Sequence, residues 1–344
     1  MSFGSRYWAA RFATWKEARP EVPGYSLLVP VPGDLPVFLE LALAVLATQD
    51  HTSRVETIVT PDQPTGQVSE VVERYARTWE GPLRLELLPR PERELLPKIG
   101  NPGHNHGVQL ITGVQTARGS HILLHDADLF LLTPDALERH YASTVADDLA
   151  VCGVSPVWDK WFQENGMHLV ATWELCASRQ WMRSFPPYLH MGHVGEIAGQ
   201  SHVFDTTLHP QALSDPRRIG LREQDDSIVH FNYVISTYRH FRKSKGGFED
   251  DRFRLLLIRL FVDLFAQVRA DYALPSADEL RQGLGSVTAA VCYPDADEKT
   301  KADYADFRAK TTRILEGPWT DATRRTAAAE ALAPFDAYYG WTPV

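Results

Sequence analysis

Apolar and polar positions alternate along the first two thirds of the chain in a way that predicts strands and helices in turn. Short apolar runs closed by proline or acidic residues predict strands, and longer periodic stretches between them predict helices. The predicted strands are residues 25–32, 55–60, 83–88, 122–124, 149–157, 173–177, 218–221 and 227–231, and the helices between the first four strands are 35–48, 68–79 and 107–118. This alternation is typical of a parallel sheet with right-handed crossovers.

The two ends of the chain have a different pattern. The first 24 residues predict a helical arm rich in aromatic residues and arginine. The last hundred residues predict helices over 255–268, 276–284, 302–315 and 326–339. The first of these is apolar almost all round, which predicts burial between layers or in a homodimer interface. We therefore expect a helical arm over 1–24, an α/β domain over 25–245 and a helical C-terminal region over 246–344.

Three predicted strands end in residues that a buried sheet does not require. Pro30-Val31-Pro32 closes the first strand, Asp62 follows the second, and Asp126-Ala127-Asp128 follows the strand over 122–124. Ligands of parallel sheets bind beyond the carboxyl ends of the strands, so we expect these residues near one ligand. Two carboxylates in such an apolar context repel each other unless a cation lies between them, and oxygen ligands favour Mg²⁺ or Mn²⁺. The plain alternative is a strand-to-loop turn with a capping aspartate.

Other nucleotide-binding motifs are absent from the sequence. No Gly-x-Gly-x-x-Gly follows the first predicted strand, where Pro30 and Pro32 stand instead. No Gly-Lys-Ser/Thr segment of the P-loop kind is present either. A phosphate-bearing ligand would therefore be held through a metal rather than by a glycine-rich loop.

Composition narrows the class of protein further. The 344 residues carry a formal net charge of −9, which argues against the basic stripe of a nucleic-acid-binding protein. Cys152, Cys176 and Cys292 are odd in number and far apart, as in reduced cytosolic proteins. The first 16 residues lack the apolar core of a signal peptide, and no stretch is long enough for a membrane span. We expect a cytoplasmic protein with no stable membrane insertion and no nucleic-acid partner.

The order of these segments resembles that of GT-A glycosyltransferases of the family-2-like kind. The resemblance covers roughly residues 25–240 and is carried by Tyr25–Pro32, Val55–Asp62, Asn105-His106-Gly107 and Gly119–Asp128. It implies a GT-A, Rossmann-like fold, in which a mostly parallel sheet is flanked by helices and followed by a helical extension. It also implies transfer of a sugar from a nucleotide-diphosphate donor to an acceptor hydroxyl on a small molecule or glycan.

The resemblance further implies which residues hold the donor. Asp126 and Asp128 would bind Mn²⁺ or Mg²⁺ against the diphosphate, and His230 resembles a third, histidine ligand of the metal. The residues implied in nucleotide binding are Pro30, Val31, Asp62, Asn105, Asp126 and Ala127. The chain departs from the family in having Ile111, where asparagine is common, and only one aspartate after the second strand. The nucleobase therefore stays open.

A second implied role concerns the acceptor. We expect a helix to begin near Phe204 with Asp205 in its first turn, and the resemblance makes Asp205 the general base of an inverting enzyme. Glu196 is an alternative base, and complementing the helix dipole is the plain role of Asp205. The aromatic loop around Trp158 and Trp161 would stack on a sugar ring, or else belong to the core.

Two other functions remain open from the sequence. A nucleotidyltransferase acting on a sugar phosphate would need a glycine-rich basic loop after the first strand, where the chain has Pro30–Asp34. A catalytically idle sugar-nucleotide-binding protein would have no need of Asp126, Asp128 and His230 together.

Overall fold

The structure is a computed structural model that describes residues 3–222, 227–231, 234–244, 253–264, 272, 274–286, 293, 296–317 and 320–342. The chain divides into two units. The first comprises Met1–Leu39, Gln49–Ala127 and Asp135–Asp225, and the second comprises Glu40–Thr48, Asp128–Pro134 and Asp226–Val344. The three-part division expected from the sequence stays a prediction, and its boundary at 245/246 lies outside the described residues.

The described elements follow one another as the hydrophobic pattern predicts, with additions. The strands are β1 (Val22–Val31), β2 (Arg54–Pro61), β3 (Leu83–Leu85), β4 (Gly119–His125), β5 (Leu129–Leu131), β6 (Val151–Gly153), β7 (Glu174–Ser178), β8 (His193–Ile197), β9 (Gln200–Phe204), β10 (Ile219–Leu221) and β11 (Ile228–His230). The α-helices are α1 (Phe3–Arg11), α2 (Pro36–Leu46), α3 (Gly66–Ala76), α4 (Arg90–Ile99), α5 (Pro102–Thr116), α6 (Ala136–Ala146), α7 (Lys160–Glu164), α8 (Arg179–Arg183), α9 (Leu208–Ala212), α10 (Val234–Ser244), α11 (Phe253–Leu264), α12 (Ala277–Gln282), α13 (Glu298–Leu315) and α14 (Ala322–Tyr339).

A seven-stranded sheet in the order β10-β6-β7-β4-β1-β2-β3 forms the centre of the first unit. Strand β1 pairs in parallel with β2 and with β4, β2 pairs in parallel with β3, and β6 pairs in parallel with β10. Strand β7 runs antiparallel to both of its neighbours, β4 and β6. The sheet is therefore mostly parallel, and the predicted α/β class is confirmed.

Burial explains why β1 and β4 form the middle of this sheet. Both are apolar runs whose residues are buried along most of their length, as expected for strands covered on both faces. Leu110 and Val114 of α5 share a hydrophobic cluster with Leu28 of β1. A Cβ on Gly113 would lie 2.8 Å from the Leu28 side chain, so the glycine lets α5 lie close against β1.

Helix α5 begins five residues earlier than the predicted helix over 107–118. Asn101 is its N-cap, since the Asn101 side chain accepts a hydrogen bond from the backbone N–H of His104 at 2.8 Å, and Pro102 occupies the first helical position. His104, Asn105 and His106 therefore lie in the first turns of a helix. The predicted start of this helix at residue 107 is therefore too late.

The predicted helix near Phe204 is also wrong, because Phe204 ends a strand. Strands β8 and β9 form an antiparallel hairpin whose turn, Ala198-Gly199, has φ angles of 50° and 75°. Two residues of positive φ match the twist of a two-residue hairpin turn. The helix that follows, α9, begins at Leu208, so Asp205 lies between the strand and the helix.

The second unit pairs β5 with β11 in an antiparallel ribbon, and the other regular elements among its described residues are helices. The Phe130 ring packs against the rings of Phe231 and Phe261 at centroid distances of 5.8 and 4.5 Å. Helix α11 buries nine of its twelve residues, as predicted for the apolar stretch that begins at residue 255, whereas residues 265–268 of that stretch lie outside the described residues. Among the described helices, none has both the length and the hydropathy that a membrane span requires.

Candidate active site

The carboxyl ends of β1, β2 and β4 meet at one edge of the main sheet, because these strands are parallel neighbours. Asp62 follows β2, and Asp126 follows β4. The backbone N–H of Asp126 donates to the carbonyl oxygen of Trp173 at 3.0 Å, which fixes the chain where it leaves the strand. The structure thus brings the strand-end residues of the first unit to one edge, as expected.

Asp62 is held by three donors from three segments. Its Oδ1 atom accepts hydrogen bonds from the backbone N–H groups of Gly33 and Gln63 at 2.9 and 2.8 Å, and its Oδ2 atom accepts one from Asn105 Nδ2 at 3.0 Å. Its side chain is almost fully buried. Asp62 therefore connects the loops after β1 and β2 to α5, and its contact with a nucleotide stays a prediction.

Helix α5 is also bonded to the ends of the strands. Gln109 Nε2 donates to the carbonyl oxygens of Val31 and Thr60 at 2.7 and 2.5 Å. Pro30 and Val31 themselves are buried, so this part of the edge presents little side chain to a ligand. The first turns of α5 are consequently fixed relative to β1 and β2.

His106 lies between the strand edge and the segment that carries the predicted base. Its Nε2 atom is 3.4 Å from Asp126 Oδ1, and its Nδ1 atom is 3.2 Å from the hydroxyl of Thr206. Thr206 in turn donates its backbone N–H to Asp205 Oδ1 at 2.7 Å. One imidazole thus connects two of the predicted site residues, Asp126 and Asp205. The sequence interpretation did not give His106 this role.

The segment after β9 has strained backbone. Thr207 adopts a φ of 62°, which is rare for a β-branched residue and costs about 1–2 kcal/mol. Thr206 and Thr207 are fully buried, and the Thr207 hydroxyl accepts a hydrogen bond from Gln211 at 3.3 Å. Such strain is often found at functional sites, where the surrounding structure maintains it. Here it places Asp205, which is exposed, at the surface of a cavity.

This cavity has a volume of about 520 Å³, which is within the usual range of small-molecule sites. All of its lining residues belong to the first unit. Its lining residues are Ser5, Asn101, Gly103, His104, Val157, Trp158, Asp159, Phe162, Gly192, His193, Val194, Val203, Phe204, Asp205 and Leu208. Trp158 is among them, as expected of the aromatic loop, whereas the ring of Trp161 stacks on His202 at 4.2 Å. Glu196, the alternative base, lies exposed on β8 and is outside this lining.

A buried ionisable network lies directly before Asp126 in the sheet. Glu174 accepts from His125 at 2.9 Å and contacts His140 at 3.4 Å, and all three side chains are buried. Burial alone would raise the pKa of Glu174, but its hydrogen bonds to the two histidines lower it. Burial likewise opposes the charge on His140, but hydrogen bonds to the side chains of Cys152 and Glu174 raise its pKa to about 9.

The second unit holds the other two predicted metal ligands. Asp128 directly precedes β5 and His230 ends β11, where Leu129 is the register partner of His230. Asp128 Oδ1 is 3.5 Å from His230 Nε2, and the backbone N–H of Phe231 donates to the Asp128 carbonyl at 3.3 Å. The structure therefore brings Asp128 and His230 together as a pair.

The donor types suit a divalent cation. Carboxylate oxygens and imidazole are ligands of Mn²⁺, and Mg²⁺ in nucleotide enzymes is commonly bound by one or two carboxylates and the substrate phosphates. Across the part of the chain that the structure describes, no group of three or more histidine, cysteine, aspartate or glutamate side chains is arranged to hold a metal by itself. A cation bound by fewer protein ligands takes its remaining ligands from water or from substrate phosphates.

Comparisons with known proteins give one kind of match. No family model matches the chain, and no curated protein matches it. Several solved structures match its structure at low sequence identity. Among them, the mannosyltransferase PcManGT from Pyrobaculum calidifontis, in complex with GDP-Man and Mn²⁺, is 16% identical with a TM-score of 0.42, and the match covers 98% of this chain and 95% of that chain.

Two further matches are similar in extent. S. aureus TarS 1-349 in complex with UDP-GlcNAc is 15% identical with a TM-score of 0.42, over 92% of this chain and 89% of that chain. Glucosyl-3-phosphoglycerate synthase from Mycobacterium tuberculosis, with Mn²⁺, UDP and glucosyl-3-phosphoglycerate, is 11% identical with a TM-score of 0.40, over 67% of this chain and 84% of that chain. These likenesses are remote and assign no residue of this chain.

Proposed function

We propose that this protein is a metal-dependent glycosyltransferase that moves a sugar from a nucleotide-diphosphate donor to an acceptor hydroxyl. The observation that carries the proposal is the connection made by His106 at the carboxyl edge of the sheet. His106 contacts Asp126, the strand-end carboxylate proposed to hold the donor, and it also contacts Thr206, the neighbour of Asp205. Asp205 lines a ligand-sized cavity, where it is proposed to act on the acceptor. A group-transfer enzyme needs both functions at a short, fixed separation.

In this proposal the donor is held through Mn²⁺ or Mg²⁺. Asp126 and Asp128, which are one residue apart in the sequence, and His230 are the proposed ligands. The cation, when bound, would stabilise the negative charge that develops on the departing diphosphate. Because the structure has no three-residue ligand group among its described residues, we expect the metal to bind together with the nucleotide.

The acceptor is activated by Asp205 if the enzyme inverts the configuration of the sugar. Its Oδ1 atom is oriented by the Thr206 backbone N–H, so Oδ2 is the oxygen available to take a proton from an acceptor hydroxyl. Asp62 and Asn105 are proposed to contact the nucleoside from the loops that they connect, with Pro30, Val31 and Ala127 as neighbouring backbone. A cytoplasmic location and a homodimer through the C-terminal helices remain predictions.

Thermal stabilisation of the full chain by nucleotide sugars tests the proposal. A panel of UDP, GDP, CMP and dTDP sugars is added with and without Mn²⁺, and slow hydrolysis of each donor is followed in parallel. We expect at least one nucleotide sugar to raise the melting temperature only in the presence of metal. The Asp128→Asn variant should lose this shift, because the substitution removes an anionic ligand of the metal.

Asp303→Asn is the matched control, since Asp303 is an exposed aspartate on α13 of the same unit. It should respond to metal and nucleotide as the wild-type protein does. The proposal is wrong if no nucleotide sugar stabilises the protein, or if stabilisation is the same without metal and in Asp128→Asn.

A further inference from the structure

Exposed apolar side chains are concentrated around the cavity that Asp205 lines. Trp158, Val194 and Val203 are large hydrophobic residues with exposed fractions of 81%, 49% and 69%, and all three belong to the cavity lining. Apolar surface left exposed around a concave site is typical of a ligand-binding surface. The rim of this cavity is therefore suited to the apolar face of a ligand.

The rest of the lining combines apolar side chains with carboxylates. Phe162, Phe204 and Leu208 are buried and form the apolar part of the wall. Asp159 and Asp205 add two carboxylates to the lining, and Asp159 is 3.3 Å from His202 and accepts a hydrogen bond from the Trp161 backbone at 3.0 Å. Apolar rings beside hydrogen-bond acceptors match a ligand that has C–H faces and hydroxyl edges.

Positive charge is missing from the same wall. None of the described residues that line the cavity is lysine or arginine. Its two histidines, His104 and His193, have pKa values lowered by burial, so they are neutral near pH 7. His209, whose ring nitrogen is 2.8 Å from that of His193, has its pKa lowered to about 4, again mainly by burial. The cavity therefore carries net negative charge.

We propose that this cavity binds the acceptor of the proposed transfer, and that the acceptor is an uncharged sugar whose ring stacks on Trp158 while its hydroxyls donate to Asp159 and Asp205. The assignment rests on the proposed glycosyltransferase function and adds the chemical class of the acceptor. Asp205 then has two roles, since the hydroxyl that it binds is the one that it deprotonates.

The same wall discriminates against phosphorylated acceptors. A sugar phosphate would bring a dianion next to two carboxylates, and the lining offers no cation to compensate for it. Repulsion of this kind selects a partner as effectively as an attractive contact does. Neutral sugars should therefore bind with clearly higher affinity than their phosphates.

Saturation-transfer NMR on the full chain tests the inference directly. The probes are a panel of methyl hexosides, the corresponding hexose 6-phosphates, and simple aromatic alcohols, each with and without Mn²⁺ and the nucleotide diphosphate that stabilises the protein. We expect one or more methyl hexosides to bind, with about tenfold weaker binding in Trp158→Ala and a smaller loss in Trp158→Phe. Val145→Ala, an exposed apolar residue of α6 outside the lining, is the matched control and should bind as wild type.

Charge is tested with Asp159→Asn. Removing this carboxylate should reduce the difference in affinity between a methyl hexoside and its 6-phosphate analogue. A purely steric preference would leave that difference unchanged. The inference is overturned if hexose 6-phosphates bind as well as methyl hexosides, if only the aromatic alcohols bind, or if Trp158→Ala binds hexosides normally. If the protein binds a nucleotide but no hexoside, only the acceptor assignment is overturned. If it binds a hexoside but no nucleotide, both the proposed function and the acceptor role are overturned.

Discussion

The Nε2 atom of His106 lies 3.4 Å from Oδ1 of Asp126, although the two are twenty positions apart in the chain, one on α5 and the other after β4. The separation is longer than a good hydrogen bond, and the two groups form an ion pair when the imidazole is protonated. A residue beside a metal ligand commonly helps to orient it. His106 is therefore a positioning residue for Asp126 in the proposed mechanism.

Replacing His106 by alanine should weaken binding of the metal–nucleotide pair by about 10- to 100-fold, because Asp126 would lose the group that orients it. His106→Gln should lose less affinity for the metal–nucleotide pair, since the amide retains a donor for one of the two contacts. Isothermal titration of the nucleotide in the presence of Mn²⁺ measures the change.

His51→Ala is the control for that experiment, because His51 is a partly exposed histidine that contacts Glu80 away from the strand edge. Equal losses in His106→Ala and His51→Ala would contradict the positioning role.

Asp205→Asn should lower the turnover number for transfer by about 10²- to 10⁴-fold if the product has inverted configuration, since an amide cannot take the acceptor proton. The Michaelis constant for the donor should change far less. Steady-state kinetics with NMR assignment of the product anomer checks both. Glu196→Gln should retain transfer, and the assignment of the base to Asp205 fails if Glu196→Gln shows the larger loss.

Asp62→Ala should destabilise the protein by about 3 kcal/mol or more, because three donors that bond to a buried carboxylate would lose their acceptor. Asp62→Asn should cost much less. Its carbonyl can still accept from the Gly33 and Gln63 N–H groups, and its amide can donate to Asn105 after that side chain flips. Urea unfolding of the two variants compares these costs, and similar losses would show that the carboxylate does not connect these loops.

Stability should depend on pH through the Glu174–His140 pair. Glu174 has a lowered pKa, so its contribution is present above its unfolded value near 4.5 and is lost as the pH falls through the lower folded value. His140 has a raised pKa, so its contribution is complete below 6.5 and is lost as the pH rises through about 9. The free energy of unfolding should therefore be greatest near pH 5–6.5 and decline toward pH 9.

The Glu174→Gln variant tests this origin. Removing one partner of a buried pair costs about 3–5 kcal/mol, and the decline between pH 6.5 and 9 should become shallower. Urea denaturation at five pH values gives both quantities. An unchanged slope in Glu174→Gln would place the pH dependence elsewhere.

Ala198→Asn should stabilise the β8–β9 hairpin by about 0.5–1 kcal/mol, because asparagine tolerates the positive φ that alanine adopts there at a cost. Ala198→Val should destabilise it, since a β-branched side chain is least compatible with that backbone. Chemical unfolding of both variants checks the opposite signs.

Much of the main sheet could be predicted because its strands are buried on both faces. Strands β1, β2 and β4 each contain a short buried apolar stretch, and each is closed by proline or by a polar residue. The hairpin could not be predicted in this way, since β8 and β9 are half exposed and their Ala-Gly turn lacks the usual Asn-Gly or Asp-Gly signal. Helix α6 was missed because its buried face includes His140 and Thr144 as well as apolar residues.

Some residues of the candidate site could likewise be predicted from the sequence, and others could not. Asp62 and Asp126 follow apolar strands, so sheet geometry alone predicts that they share an edge. The role of His106 depends on Thr206, which is 100 residues away, and no local pattern reports such a contact. The Asn101-Pro102 start signal of α5 would have moved His106 from a loop to a helix, but its partners become visible only in the folded chain.

The position of His106 between Asp126 and Thr206 has a consequence for how tightly the two substrates bind. A ring that contacts both groups cannot move toward one without changing its distance from the other, so loading of the donor side and loading of the acceptor side share a coupling free energy. Thermodynamic linkage makes this coupling reciprocal: whatever factor the donor applies to acceptor affinity, the acceptor applies to donor affinity. Bound donor should accordingly change the affinity for the acceptor, and this factor should approach one when His106 is replaced.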